Sequence, residues 1–273
     1  MLQLLLAIAS TQLGSAVAKS LFTQVGPLGM ATLRVGLAAL ILILLWRPKI
    51  RGYGRSAYVT LTCFGLSLAA MNAFFYSAIA QIPIGVAVAV EFSGPLAVAL
   101  FNSRRPLDIL WVTFAGIGIL LLAPFGGQLL DPVGISFALL AGGCWGAYIV
   151  FSARTGRVFA GTQGLALAMV VGAIALLPLG MLTDGDMFNN RGLLAQGLGV
   201  AMLSSVLPYS LEMSALRHLP FHVFGVLLSL EPAVAACLGF LLLGESLSPR
   251  MIAAISMVVV AAVGVALTKA PQP

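Results

Sequence analysis

Ten apolar runs, each close to the length of a bilayer crossing, take up almost all of this 273-residue chain. A helix needs about 20 mostly apolar residues to cross the hydrocarbon core. By that measure the runs fall at about 2–19, 28–46, 57–79, 83–102, 108–125, 134–152, 162–183, 192–212, 220–243 and 249–268. Inside a bilayer each segment must satisfy its own backbone N–H and C=O groups, which restricts runs of this length to helices. Breaks fall at Gly26-Pro27, Ile82-Pro83, Asp131-Pro132, Leu219-Pro220 and Ser248-Pro249, where proline starts or ends a helix without losing a hydrogen bond. The connections leave no room for a soluble domain. The expected fold is an all-α integral membrane protein with ten transmembrane helices.

Charge then sets the orientation. The net charge of +6 and pI near 9.7 do not point to nucleic acid, because that would need a basic patch on one face. The fourteen Lys and Arg are instead spread over the connections, and only 8% of the chain is charged against 60% hydrophobic. With the N-terminus in the cytoplasm, the inner side collects Arg47, Lys49, Arg51, Arg55, Arg104, Arg105, Arg154, Arg157, Arg217 and Lys269. The outer side collects Lys19, Arg191 and Arg250. Cytoplasmic loops carry the excess of Lys and Arg, so both termini are expected inside. Met1 to Ala18 has the look of a secretory h-region, but no basic residue precedes it and Gln12, Gly14 and Ser15 interrupt it. It reads as a first span.

The chain also carries traces of a duplication. A shift of 137 residues places Ile82-Pro83 on Leu219-Pro220, Pro95 on Pro232, Gly94 on Glu231 and Asp108 on Glu245, and a shift of 132 places Gly14 on Gly146. Two five-span halves, 1–127 and 128–273, follow from this register. Five is odd, so the second half crosses in the opposite sense. Inverted repeats of this kind are an architecture of secondary transporters, with substrate held near the midplane between the halves.

Ionisable groups at depth are the candidates for chemistry. Glu91 lies about nine residues into the fourth span, roughly 13 Å along the helix. It is either a structural carboxylate bonded to neighbours or a group facing a cavity that binds an ammonium or carries a proton. Desolvation disfavours the charged form of a carboxylate, and the functional reading is adopted. Glu231, before Pro232, holds the repeat-related place one turn from that of Glu91, and reads equally as a partnered acid at a kink or a second site group. Arg34, in the second span, can clamp a carboxylate, neutralise Glu91 or Glu231, or snorkel outward. The last two are favoured, although Arg34 is kept among the site candidates. Lys19 reads as interfacial, and Glu212 as solvated or paired with Arg217. Asn72, Tyr76, Ser93, Trp145, Tyr148, Ser204, Ser205 and Tyr209 together suggest a polar-lined path, while Asn72, Tyr209, Ser204 and Ser205 read equally as interhelical hydrogen bonds. Asn72, Tyr76, Ser93, Trp145 and Tyr209 join the substrate- and proton-site candidates.

Several chemistries have no residues to support them. Cys63, Cys144 and Cys237 lie in separate apolar runs with no metal or disulfide spacing. There is no His-Glu-x-x-His, no phosphate-binding Gly-Lys-Ser/Thr loop and no Cys-x-x-Cys. His218 and His222 straddle a helix boundary and make a poor metal pair. No cofactor or metal is expected, and uphill transport would have to draw on an ion gradient.

Leu230-Glu231-Pro232-Ala233 followed by Leu243-Gly244-Glu245 resembles the signature of the EamA family in the drug/metabolite transporter superfamily. Ala18 to Phe22, Val90 to Leu100, Arg104-Arg105-Pro106 and Leu207 to Met213 are similar to the threonine and homoserine exporters of that family. The resemblance spans both halves. It implies a basket built from spans one to four and six to nine, with spans five and ten outside it. It also implies a multi-pass inner-membrane exporter of small amino acids. Ser93 stands where threonine is expected, which leaves the substrate range open.

The combined expectation is proton antiport of threonine, homoserine or a similar amino acid, with Glu91 alternating between a proton and the substrate ammonium. Its partners are a small-molecule substrate, protons and the bilayer, with no nucleic acid and no catalysis. Whether it works as a homodimer is left open. Export of another metabolite or a drug is the alternative within the superfamily. A polytopic membrane enzyme is the alternative outside it, and the sequence supplies no nucleophile or metal constellation for one.

Overall fold

A computed structural model describes residues 2–50, 52–101, 106–122, 130–159, 162–183, 185–216 and 227–268. Among these residues every regular element is helical: α1 (Leu2–Ser20), α2 (Phe22–Trp46), α3 (Arg55–Ile79), α4 (Ile84–Glu91), α5 (Ser93–Phe101), α6 (Pro106–Leu122), α7 (Pro132–Gly156), α8 (Gln163–Thr183), α9 (Arg191–Ala201), α10 (Leu207–Leu216), α11 (Glu231–Leu243) and α12 (Pro249–Thr268). A 3-10 turn (Gly185–Phe188) precedes α9, and a π-helical turn (Met202–Val206) joins α9 to α10. Five stretches are long and apolar enough to cross a membrane: Phe22–Trp46, Arg55–Ile79, Pro132–Gly156, Gln163–Thr183 and Arg191–Glu212. Shorter apolar helices fall at Ile84–Val98, Ile109–Leu121, Glu231–Leu243 and Pro249–Gly264.

The expected boundaries hold where proline or glycine sets them. Pro249 opens α12, and Pro132 opens α7 behind Asp131, whose carboxylate accepts from the Val133 N–H at 2.8 Å. Asp131→Ala is expected to destabilise the protein by about 0.5–2 kcal/mol through loss of this cap, read as a lowered thermal midpoint in detergent. Gly26 interrupts α2 with φ 67°, a left-handed backbone, and Pro27 then restarts the helix. The fourth expected span differs from its expectation. It breaks at Phe92 into α4 and α5, because Pro95 has no N–H to give the Glu91 carbonyl four residues earlier. The ninth span is described only from residue 227 onward. Leu219-Pro220, His218, His222, Arg217, Arg104 and Arg105 lie outside the described residues.

Small residues are common in the interior, beside large ones such as Met30, Leu33 and Tyr76, and many large apolar residues face outward. Ala7, Ala16, Ala18, Ala31 and Ala38 are inside, while Leu44, Phe101, Leu182 and Phe240 are exposed. Lipid is as apolar as leucine, so burying leucine gains little, and helices associate through close backbone approach instead. Gly65 of α3 lies against Ala168 and Val171 of α8; Gly197 of α9 lies against Leu33 and Leu37 of α2. In α6, Gly118 abuts Ala254 and Met257, whereas Gly116 faces open space.

The most extensive helix contacts are α3 with α7, α2 with α8, and α6 with α12. Next to these, α1 packs on the α9–α10 unit and on α11, and α4 packs on α7 and α11. The cores of α2, α3, α8 and the α9–α10 unit therefore meet around residues 34, 76 and 204. Cys63, Cys144 and Cys237 are free thiols.

Candidate functional site

Arg34 occupies the middle of this arrangement and is 6% exposed. Its Nε donates to Ser205 Oγ at 3.1 Å, Nη1 to the Tyr76 hydroxyl at 3.3 Å and Nη2 to the Ser204 carbonyl at 2.9 Å. The guanidinium carbon also stands 5.5 Å from the centre of the Tyr76 ring, within cation–π range. Arg34 therefore does not snorkel. Nor does it form an ion pair within 4 Å among the described residues.

The acceptor at Ser204 has a local cause. Leu207 N–H bonds Met202 O five residues back, the π-helical step, and Pro208 has no N–H to offer. The carbonyls of Leu203 and Ser204 are thereby released from the helical ladder. Ser10 Oγ of α1 donates to the first at 2.6 Å, and Arg34 to the second. One proline thus creates two acceptors at depth, and two neighbouring helices take them up.

Glu91 ends α4 at 8% exposure, and Glu231 starts α11 at 9%. Arg34 stands seven residues past Pro27, and Glu91 eight past Pro83, roughly 11 Å along their helices in each case. Arg34 lies within electrostatic range of Glu91, Tyr76 and Tyr209. Glu231 lies within range of Glu91 and Glu212, and Tyr209 within range of Arg34, Tyr76, Glu212 and Glu231. Five of the expected site residues, Arg34, Tyr76, Glu91, Tyr209 and Glu231, therefore form one electrostatic cluster. Glu212, half-buried, is also within electrostatic range of Tyr209 and Glu231.

The other three candidates sit nearby in different roles. Asn72 is buried one turn before Tyr76 on α3, and its amide donates within its own helix to Leu68 O at 2.9 Å. Ser93 and Trp145 mark the α4–α5 break. Trp145 of α7 packs edge-on against Phe92 with ring centres 5.1 Å apart. Gly142 makes room there for the Ser93 hydroxyl and the released Glu91 carbonyl.

A second polar centre lies at the end of the bundle that holds Ile82, and local sequence reading missed it. Lys19 Nζ is 2.6 Å from Glu245 Oε1 and also donates to Ile82 O at 2.9 Å. Glu245 Oε2 accepts from the Ile84 N–H at 2.9 Å, capping α4. Gly239 leaves the space that this carboxylate fills. Lys19 is thus not a free interfacial cation. It ties α1 to the start of α4 and to the segment before α12. A shallow groove of about 530 Å³ along Arg55, Tyr58, Val59, Thr62 and Cys63 lies on one face of α3 alone, away from both centres.

The sequence profile of the EamA-like transporter family matches residues 132–267. Over 274 aligned residues the chain is 43% identical to the threonine/homoserine exporter RhtA of Salmonella typhimurium (strain SL1344), covering 100% of this chain and 92% of the relative. The exporter of the same name from Escherichia coli (strain K12) is 43% identical over 267 residues, 97% of this chain and 90% of the relative. A solved crystal structure superposes with a TM-score of 0.63 at 19% identity, covering 97% of this chain and 96% of the other. That likeness concerns the fold.

Proposed function

The chain belongs to the EamA-like transporter family, and on that premise we propose that it exports threonine, homoserine or similar small amino acids by proton antiport. One observation carries the amino-acid reading: a buried cation and a buried carboxylate, Arg34 and Glu91, stand within electrostatic range without forming a contact pair. A zwitterion offers each of them its opposite charge. The near full-length identity to proteins named as threonine/homoserine exporters supports the same substrate class.

The proposed architecture is ten spans in two inverted halves, 1–127 and 128–273, in the bacterial inner membrane with both termini cytoplasmic. The helix contacts support it. Exchanging the halves turns the α3–α7 contact into that of the α9–α10 unit with α1, and the α3–α8 contact into that of the α9–α10 unit with α2; both members of each pair occur. The Gly65 and Gly197 contacts are likewise offset by 132–135 residues.

In this mechanism Glu91 exchanges an external proton for the substrate ammonium. One proton moving inward down about 100 mV and one pH unit releases roughly 2.3 plus 1.4 kcal/mol. That sustains a substrate gradient of a few hundredfold. A counterflow panel in proteoliposomes tests the substrate class, comparing threonine, homoserine, other amino acids and cationic drugs. Threonine and homoserine are expected to exchange fastest. Exchange of drugs alone would move the protein to the other reading of its family.

With this orientation, Lys19, Glu245 and Ile82 lie at the outer end and hold it closed. The pair is mostly shielded from water, at 20% and 11% side-chain exposure, and charged hydrogen bonds of this kind contribute about 1.5–3 kcal/mol. Glu245→Gln keeps a neutral hydrogen bond, so it is expected to forfeit about 1–2 kcal/mol of this and to raise the outward-open population roughly 5–30-fold. The readout is labelling of a cysteine placed at Ala87 by a membrane-impermeant maleimide, in a background lacking Cys63, Cys144 and Cys237. An unchanged labelling rate would leave the pair a static tie.

A further inference from the structure

The surroundings of Arg34 point to what it does in transport. A buried guanidinium normally has a carboxylate in contact, because an isolated buried charge is strongly disfavoured. Arg34 has none within 4 Å among the described residues. Its three protein partners, Ser205 Oγ, Tyr76 Oη and Ser204 O, are all neutral. They fix the plane of the group while leaving two of its five N–H donors without a partner among the described residues. The site therefore orients a buried cation through neutral groups alone, with Glu91 within electrostatic range but not in contact.

We propose that Arg34 is the carboxylate subsite of the transported amino acid, held in register by Tyr76, Ser205 and the carbonyl that Pro208 releases at Ser204. This rests on the amino-acid transport reading and deepens it. The substrate α-carboxylate takes the two remaining N–H donors, and its ammonium faces Glu91. The substrate bridges two charges that the empty protein keeps apart. Tyr76 and Ser205 are positioning residues, since they act through Arg34.

The test uses purified full-length protein in proteoliposomes exchanging labelled threonine, with L-threonine, L-threonine amide and threoninol as competitors. In the wild type the two analogues lacking the carboxylate are expected to compete at least 100-fold more weakly than threonine. In Arg34→Gln that ratio is expected to fall to within a few-fold, with a KM for threonine raised at least 100-fold. Tyr76→Phe and Ser205→Ala are expected to raise KM about 3–10-fold with kcat retained. Equal competition by the amide in the wild type would overturn the assignment, and that comparison needs no variant to fold. A wild-type ratio preserved in Arg34→Gln would also overturn it, leaving Arg34 as a structural cation. Absence of threonine exchange in the wild type would overturn the transport reading and this subsite with it, whereas exchange without discrimination would overturn the subsite alone.

Discussion

Glu91→Gln is expected to abolish proton-driven threonine efflux while the protein still reaches the membrane. Glutamine keeps the shape and hydrogen-bonding reach of the side chain but removes both the charge and the titration. Glu91 is 8% exposed and makes no ion pair among the described residues, so the change leaves no partner orphaned. A buried charge with no contact partner is itself destabilising, and the variant is expected to be at least as stable as the wild type. In the proposed antiport the functional effect is large because one group serves both ligands. Acid outside favours its protonation and substrate release, and alkali inside favours its deprotonation and substrate binding. With glutamine the two sides become equivalent. In cells fed a threonine-containing dipeptide, external threonine is expected to fall at least 100-fold, to the level of cells lacking the protein, at unchanged membrane abundance. Unchanged accumulation would remove Glu91 from the mechanism.

The largest structural effect is expected from Gly94→Val. A Cβ at Gly94 would land on the carbonyl of Gly142, and both sides of that contact are backbone. Pro95 fixes the break that brings α5 so close, and the Phe92–Trp145 ring contact lies beside it. Overpacking costs about 1–3 kcal/mol where side chains can yield, and a clash with backbone belongs at or above the top of that range. Gly94→Val is expected to accumulate poorly or to lower the thermal midpoint in detergent by several degrees. Gly116→Ala is the control, since nothing lies within 4 Å of its added methyl. Alanine is favoured over glycine in a helix by about 1 kcal/mol, so the control is expected to be neutral or stabilising. A Gly94→Val protein as stable as wild type would mean that α5 and α7 do not approach in this way.

Helix existence was legible in the sequence because membrane length and proline placement are local signals. Pro249 opens α12 where expected, and Gly26-Pro27 breaks α2 where expected. The breaks at Phe92 and Met202–Val206 were not legible. In both, a proline deprives a carbonyl earlier in the chain of its donor, and the consequence depends on which neighbour takes that carbonyl up. For Ser204 that neighbour is Arg34, 170 residues away. Lys19 and Glu245 are 226 residues apart, beyond any periodicity. The depth of Glu91 and Arg34 was visible, but the neutral partners of Arg34 were not. Ser204-Ser205 stood out only as a polar pair within an apolar run.

Threonine efflux from proteoliposomes under an imposed pH gradient tests the central claim most directly. Vesicles carrying the purified protein are loaded with labelled threonine at neutral pH and diluted into medium one unit more acidic or into matched medium. Proton antiport predicts efflux about tenfold faster into the acidic medium, and a protonophore is expected to remove the difference. Efflux at the same rate in both media, or no efflux in either, would contradict it.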